Sequence, residues 1–197
     1  VWAIPLADNA AGVAATGTIT VTGPATAAGT VNLYIAGQRV QVAVASGDTA
    51  TAVATAIVAA IGAATDLPVT AANTAGVVTW TCRWKGSTGS DIQVSDTYRG
   101  SAGGETLPAG IALAYAAGTA GATDPLMTAA IAAMGDEPYD YIIHPYADTT
   151  SLDAWQTELG DATGRWSWSR QVYGHGYTAK RGTLSALVTA GGLRNDP

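Results

Sequence analysis

A short glycine-rich stretch is the strongest candidate for chemistry in this sequence. Residues 174–179 read Gly-His-Gly-Tyr-Thr-Ala and match G-x-G-x-x-[GA], the fingerprint of dinucleotide-binding loops. The match lies between a predicted strand at 169–173 and a predicted helix that bears Leu184, which is where such a loop must be. The acid expected about 20 residues further on has no counterpart except Asp196. We therefore interpret the glycines as a tight strand-to-helix turn that also permits close helix packing.

Two histidines limit the possible schemes for nucleophilic catalysis. His144 and His175 are the only histidines, so any histidine base must be one of them. His144 lies at the carboxyl end of a predicted parallel strand, an edge where α/β sheets bind ligands. The nearby acids and the available serines are Asp140, Asp148, Ser167 and Ser169. Because no G-x-S-x-G elbow accompanies them, we interpret His144 as a capping or hydrogen-bonding residue.

Metal and sugar sites are not favoured either. One cysteine and two separated histidines lack ligand spacing, and the aspartates do not follow an EF-hand pattern. Five tryptophans could form a sugar-stacking surface, but each lies on or beside an amphipathic element, which favours core or interface anchors: Trp80, Trp84, Trp155, Trp166 and Trp168. The sequence therefore predicts no catalytic, cofactor-binding or metal-binding residue, no cofactor, and a protein that is not an enzyme.

The composition is that of a globular chain without attraction for polyanions. Of 197 residues, 48% are hydrophobic and 12% charged, which suffices for a sizeable core. The net charge of −6 gives no reason to expect nucleic acid or an anionic membrane as partner. No apolar run approaches the roughly 20 residues of a spanning helix. Cys82 is the single cysteine, so it forms no intramolecular disulfide.

Alternation with a period of two dominates residues 17–115 and predicts a small antiparallel sheet. The apolar members of this pattern are Ile19 and Val21, then Val31, Leu33 and Ile35, then Val40, Val42 and Val44, then Val78, Trp80, Cys82 and Trp84, then Ile92 and Val94, then Ile111 and Leu113. The second and third groups flank a tight turn at Gly37 and predict a hairpin.

One helix interrupts the strands. It is predicted to begin at Ser46 or Asp48 as its N-cap and to end near Gly62. Its apolar stripe recurs every four residues, at Val53, Ile57 and Ile61. This stripe should pack on the sheet.

After Gly118 the period changes to strands alternating with helices, which implies a parallel sheet with crossover helices. The first predicted helix is capped by Asp124, has Pro125 at its first position and carries Met127, Ile131 and Met134 on its stripe. A strand at 139–146 and a helix with Leu152, Trp155 and Leu159 follow it. A strand at 169–173 and a helix with Leu184, Leu187 and Val188 complete the series. Residues 1–6 would add another strand.

These two patterns of hydrophobic periodicity predict an α+β chain of two domains. An α/β core layer comprises residues 1–16 and 119–197, and an antiparallel β-rich domain with one helix is inserted at 17–118.

Charges are also segregated along the core layer. Acids occur without a base at 124–161, and bases without an acid at 165–194. We interpret these as two solvated faces, with contact between opposite faces of neighbouring copies as the alternative.

Three stretches resemble the Mu-like family of phage tail sheath proteins. The first comprises 17–23, 33–40 and 44–50, which look like that family's β-rich domain. The second, Lys85-Gly-Ser-Thr-Gly-Ser-Asp-Ile92, resembles its K-G-x-x-G-N-D-I pattern, with Ser90 in place of asparagine. The third, Tyr139-Asp-Tyr-Ile-Ile-His-Pro-Tyr-Ala-Asp148 with Leu152 and Gly191-Gly-Leu-Arg-Asn195, resembles the sheath core. The resemblance covers nearly the whole chain.

The resemblance implies a structural subunit of a contractile tail sheath. Such a subunit polymerises around the tail tube and contracts to drive the tube into the host envelope. Its partners would be other sheath subunits, joined through terminal arms, and tail tube and baseplate proteins. It would be assembled in the bacterial cytoplasm and located in the virion. We expect this chain to be a central fragment, monomeric or weakly associating. The alternative function is a surface carbohydrate-binding or adhesin module.

Overall fold

Two separate units make up the chain, and each has its own hydrophobic core. The computed structural model describes residues 2–194. Unit 1 contains the described residues of Val1–Asn9 and Asp124–Pro197, and unit 2 contains Ala10–Thr123. Helices occur together with antiparallel sheets, which confirms the predicted α+β class.

Besides two short 3₁₀ helices, Ser87–Asp91 and Ser101–Gly103, unit 2 contains seven strands and one α-helix. In chain order they are β1 (Ala14–Thr22), β2 (Gly29–Ile35), β3 (Gln38–Val44), α1 (Ala50–Ala63), β4 (Val69–Thr74), β5 (Val77–Lys85), β6 (Val94–Asp96) and β7 (Ala112–Ala117). The strands form two antiparallel sheets, in the orders β4-β5-β1-β7 and β3-β2-β6. The prediction of a single sheet is therefore wrong, because alternation identifies a buried face but not the strand that pairs beside it.

Alternation does identify the buried faces correctly. Ile19 and Val21 are buried in β1, and every apolar residue predicted for the hairpin is buried. The hairpin is β2 paired with β3, with Leu33 opposite Val40. Its turn, Ala36-Gly37, has φ of +50° and +80°. A two-residue turn with both residues in the left-handed region matches the twist of the flanking strands.

Helix α1 buries its predicted stripe, Val53, Ile57 and Ile61. The helix begins after Thr49, whose Oγ1 accepts a hydrogen bond from the N–H of Ala52 at 3.2 Å. The predicted caps, Ser46 and Asp48, are therefore wrong. Asp48 instead accepts a hydrogen bond from the N–H of Ala45 at 2.7 Å, so its carboxylate holds the turn that precedes the helix.

Strand β4 is not predicted by the sequence pattern. It reads Val-Thr-Ala-Ala-Asn-Thr, and alanine and asparagine are poor strand formers. The strand forms because β5 pairs along its whole length, from Val69 opposite Cys82 to Thr74 opposite Val77. Tertiary pairing here overrides weak local preference.

Unit 1 alternates helices and strands as predicted. Its described elements are α2 (Thr128–Met134), β8 (Tyr141–Ile143), α3 (Thr149–Leu159), β9 (His175–Tyr177) and α4 (Leu184–Gly192). β8 and β9 are parallel, and α3 lies between them in the chain. The core contains the buried residues Met127, Met134, Ile142 and Trp155. Helix α2 ends at Gly135 as predicted, where φ is +52°.

The beginning of the chain does not form the predicted strand. Residues 2–6 have no regular secondary structure, and Val1 lies outside the described residues. Ile4 and Leu6 nevertheless pack against the core of unit 1. Trp2 stacks on Tyr139 with ring centroids 5.6 Å apart. Ile4 and Leu6 are thus half-buried against this core without forming a strand.

The strand predicted at 169–173 is also wrong. The N–H of Arg170 donates to the Ser167 carbonyl at 3.1 Å, and the N–H of Val172 donates to the Arg165 carbonyl at 2.8 Å. These local turns use backbone groups that a strand would need for pairing. The pairing segment is β9, further along the chain.

The N-terminal end of α2 differs from the prediction as well. The helix begins at Thr128 after Met127, so Asp124 and Pro125 are not its cap and first residue. The carbonyl of Asp124 accepts a hydrogen bond from Asn9 Nδ2 at 3.2 Å. Among the helices described within residues 2–194, none has the length and apolar character needed to cross a bilayer.

Candidate functional site

A cleft of about 540 Å³ in unit 1 brings both histidines of the sequence together. It is lined by the segment after β8, by β9 along its whole length and by α3 and α4. His144 follows the carboxyl end of β8, the edge at which α/β sheets usually bind ligands. His144 and His175 both contribute to the lining.

His144 is a packed aromatic ring in this cleft. It is buried, and its ring stacks on Trp155 with centroids 5.3 Å apart and planes at 18°. Burial lowers the pKa of His144, and the Tyr146 backbone and the Asp148 carboxylate oppose that shift only in part. His144 Nδ1 and Trp155 Nε1 are both buried without a hydrogen-bond partner in the described structure. Both residues line the cleft, but these two nitrogen atoms are themselves shielded from solvent.

Asp148 performs the capping role that was considered for His144. Its Oδ1 accepts a hydrogen bond from the N–H of Ser151 at 3.0 Å and begins α3. The capping interpretation of His144 is therefore wrong. The backbone N–H of His144 donates to the Tyr177 carbonyl at 3.1 Å, which extends the pairing of β8 and β9 by one bond.

His175 and the glycine motif lie in a strand rather than in a loop. Residues 174–179 span β9, and Gly176 pairs with Ile142 of β8. Neither a strand-to-helix turn nor the loop of a dinucleotide site is present there, so both interpretations of the motif's position are wrong. The strand does pack closely on a helix, because a Cβ on Gly176 would lie 3.1 Å from the end of the Leu159 side chain of α3. Asp196, the candidate acid, lies outside the described residues.

The serines considered as nucleophiles do not line the cleft. Ser167 is buried, and its Oγ donates to the Gly164 carbonyl at 2.7 Å. Ser169 Oγ lies 3.2 Å from Ser167 Oγ. The structure therefore brings the two histidines to one cleft but leaves the candidate serines within the turn that precedes β9.

Arg165 lies in the basic stretch that is predicted to form a solvated face, but it is a buried structural residue. Its side chain has no exposed surface. Its Nη1 donates to the Gly135 carbonyl at 2.6 Å, and its Nη2 donates to the Glu137 carbonyl. The guanidinium carbon lies 5.8 Å from the centre of the Tyr139 ring. Arg165 thus holds the segment between α2 and β8 in place.

Acids and bases separated along the sequence meet in space. Arg170 Nη2 lies 2.8 Å from Asp136 Oδ1 and 3.1 Å from Glu158 Oε1. Arg194 Nη1 lies 2.6 Å from Asp153 Oδ1. Part of the acidic stretch therefore pairs with part of the basic stretch within unit 1. Contact between opposite faces of neighbouring copies stays a prediction.

The stretch from Lys85 to Ile92 has a structural role in unit 2. A Cβ on Gly89 would lie 2.9 Å from Cys82 Sγ, so only glycine lets this turn close on β5. Ser90 Oγ accepts a hydrogen bond from the N–H of Gly121 at 2.9 Å. The motif thus ties the segment after β7 back to the end of β5.

The tryptophans are divided between the two units. Trp80 and Trp155 are core residues, as predicted. Trp84 is half-buried, and its Nε1 donates to Thr88 Oγ1 at 2.9 Å, so the fold holds its ring. Trp168 is 85% exposed, and its role as an interface anchor stays a prediction. Within residues 2–194, no cluster of three or more His, Cys, Asp or Glu side chains could hold a metal ion.

Two family models match the chain in succession. Residues 10–112 match the phage tail sheath protein beta-sandwich domain, and residues 120–196 match the phage tail sheath protein central domain. The chain belongs to the phage tail sheath family, whose members are structural components of phage tails. This confirms the family indicated by the sequence motifs.

A relative makes the assignment more specific. The chain is 40% identical over 195 residues to the Mu-like prophage FluMu tail sheath protein of Haemophilus influenzae (strain ATCC 51907 / DSM 11121 / KW20 / Rd). The alignment covers 99% of the chain and 39% of that relative. The chain therefore spans about two fifths of the length of this curated relative.

Proposed function

We propose that this protein polymerises around a phage tail tube and contracts to drive the tube into the host envelope. It contacts other sheath subunits, the tail tube and baseplate proteins, is assembled in the bacterial cytoplasm, and acts without catalysis. One observation carries the proposal. The beta-sandwich and central-domain models match consecutive regions, and the sheath relative aligns across both structural units.

The two independent cores support a mechanism based on rigid bodies. Unit 2 buries an extensive apolar cluster that includes Ile19, Leu33 and Ile57, and unit 1 has its own cluster around Trp155. Close-packed cores resist continuous deformation, so a large change of the assembly concentrates at interfaces. Contraction would then exchange one set of contacts between subunits for another while each unit stays folded.

We further propose that residues 17–118 form a domain inserted into a sheath core made of 1–16 and 119–197. Support comes from unit 1, which is assembled from two chain segments on either side of unit 2. An insertion that leaves the core contacts of a polymer undisturbed belongs on the outer surface of the sheath. Crosslinks from this domain to tail tube protein in intact particles would contradict the placement.

Electron microscopy of the full-length protein expressed alone tests polymerisation. We expect tubular polysheaths with a regular helical repeat. Intact particles, imaged before and after triggering, should show a sheath that shortens and widens around a tube of constant length. A full-length protein that stays monomeric at high concentration, or a sheath of unchanged length after tube ejection, would contradict the proposal.

A further inference from the structure

A cavity of about 270 Å³ in unit 2 is lined by residues of both of its sheets. It lies where β6, an edge strand of the three-stranded sheet, comes next to β7, an edge strand of the four-stranded sheet. The segment that follows β7, residues 118–120, lines it as well. Because β6 and β7 belong to different sheets, no strand pairing closes the sandwich along this side.

The apolar part of the lining is dominated by two aromatic rings. Trp80 of β5 lies opposite Gly17 of β1, and a Cβ on Gly17 would lie 2.5 Å from the Trp80 ring, so the indole covers β1 closely here. Most of Trp80 is buried in the core, but it also lines the cavity. Tyr115 of β7 is more open, with 38% of its surface exposed. Ile92 and Val94 complete the apolar lining.

Two hydroxyl groups of the lining are held in place by the chain after β7. Thr16 Oγ1 accepts a hydrogen bond from the N–H of Thr119 at 2.8 Å. Ser90 Oγ accepts one from the N–H of Gly121 at 2.9 Å. A hydroxyl that accepts keeps its own hydrogen for donation. Thr16 and Ser90 therefore offer the cavity two positioned donors.

The Tyr115 hydroxyl offers an acceptor. It donates to Asp96 Oδ2 at 2.7 Å, so its oxygen is left to accept a hydrogen bond from a ligand. Among the residues that line the cavity in the described structure, none carries a charge. A charged ligand would lose hydration there without gaining a counter-ion. The lining thus favours a neutral ligand that both accepts and donates hydrogen bonds.

We propose that this cavity binds one pyranose unit of a neutral saccharide. A pyranose ring has a face of C–H groups that packs on aromatic rings, and a rim of hydroxyls that donate and accept hydrogen bonds. Ligand pockets usually measure roughly 300–1,000 Å³. A cavity of about 270 Å³ therefore suits a single sugar unit. The proposal concerns ligand binding by unit 2 and depends on neither polymerisation nor contraction.

Saturation-transfer NMR of the full-length protein tests this site, since the method suits large assemblies as well as monomers. The probes are the methyl pyranosides of glucose, galactose, mannose and N-acetylglucosamine, each titrated through the millimolar range. We expect at least one of them to bind with a millimolar Kd. The absence of saturation transfer to all four overturns the proposal.

Two alanine substitutions on β7 locate the bound sugar. Ala117 lines the cavity opposite Gly17, on the same side of the strand as Tyr115. Ala117→Phe should fill the cavity and raise the Kd at least about tenfold, because the ring takes the place of the sugar. Ala114→Phe is the matched control, at an exposed position of β7 outside the lining, and should leave the Kd within about twofold. Equal Kd values for the two variants assign the sugar to another site and overturn the proposal.

Tyr115→Phe provides a second variant that adds no bulk. It keeps the aromatic ring and removes the hydroxyl oxygen, so the Kd should rise about threefold to tenfold. Thermal unfolding of each variant verifies that unit 2 is folded. A wild-type Kd in folded Tyr115→Phe contradicts the assigned acceptor and overturns the proposal. Polysheath formation is scored separately by electron microscopy, so failure of the sheath function and failure of sugar binding are distinguishable.

Discussion

Arg165 Nη1 lies 3.8 Å from Glu158 Oε1, and the arginine side chain of this pair is completely buried. The backbone joins the same two residues, because the N–H of Arg165 donates to the Glu158 carbonyl at 2.6 Å. A buried charge is tolerated only where partners satisfy it. The Arg165 guanidinium thus lies beside the end of α3 and also donates hydrogen bonds to two carbonyls of the segment that follows α2.

Removing this cation should destabilise unit 1. In Arg165→Met, the carbonyls of Gly135 and Glu137 lose their donors, and we expect a loss of about 3 kcal/mol in the free energy of unfolding. Urea denaturation followed by tryptophan fluorescence measures it. Lys180→Met is the control, at an exposed lysine whose Nζ donates to the Ala147 carbonyl at 3.3 Å, and it should change stability by less than about 0.5 kcal/mol. Equal stability of the two variants would show that the buried cation is not structural.

Gly17 should be intolerant of a side chain. It lies opposite Trp80 in the β1–β5 pair, and a Cβ there would lie 2.5 Å from the Trp80 ring. A rigid indole cannot yield easily, so Gly17→Ala should cost about 1–3 kcal/mol in thermal or urea unfolding.

Gly62→Ala is the matched control for that substitution. Gly62 lies in α1, and a Cβ there would meet nothing within 4 Å. Alanine stabilises a helix interior by roughly 0.5–1 kcal/mol relative to glycine. A Gly17→Ala variant as stable as Gly62→Ala would show that Trp80 is free to move.

Glu105 should make unit 2 sensitive to acid. Burial opposes its charge, but the Tyr34 hydroxyl at 2.5 Å, the N–H of Arg99 and the Arg39 guanidinium outweigh burial and lower the pKa of Glu105. A lowered carboxyl pKa contributes stability at neutral pH that is lost as pH falls through the pKa of the folded state.

The variant Glu105→Gln isolates this contribution. It should melt below wild type at pH 7, and the difference should shrink below about pH 4 as the wild-type carboxylate is protonated. Asp66→Asn, at an exposed acid, controls for the change in net charge. A difference in melting temperature that stays constant from pH 7 to pH 2 would rule out the ionised form as the stabilising one.

His144 should oppose folding when it is protonated. Its pKa is lowered in the folded state by burial against Trp155, so the unfolded chain binds the proton more readily. The stability of unit 1 should therefore fall as pH drops below about 6.5, the ordinary histidine value, until the pKa of the folded state is passed.

Two substitutions separate titration from packing. His144→Phe keeps an aromatic ring against Trp155, and His144→Gln keeps a polar group that does not titrate. Both should weaken the fall in urea midpoint between pH 7 and pH 5. Wild-type pH dependence in both variants would assign that dependence to another group.

Local patterns in the sequence were sufficient for much of unit 2. Alternating residues such as Ile19 and Leu33 identified strands and their buried faces, and the spacing of Val53 and Ile57 identified the face of α1. The motif around Lys85 indicated the family. These features depend on side-chain period and residue type, which are properties of neighbouring residues in the chain.

Tertiary structure decided the rest, because it depends on which distant groups meet. Residues 69–74 form β4 because they pair with β5. Local turns around Arg165 extend into the region where a strand was predicted, and the strand that pairs with β8 is β9, further along the chain. Separate acidic and basic stretches became ion pairs such as that of Arg194 with Asp153. Which segments pair depends on contacts between residues that are far apart in sequence. Periodicity therefore identified the buried faces of the strands and helices but not the segments that cover those faces.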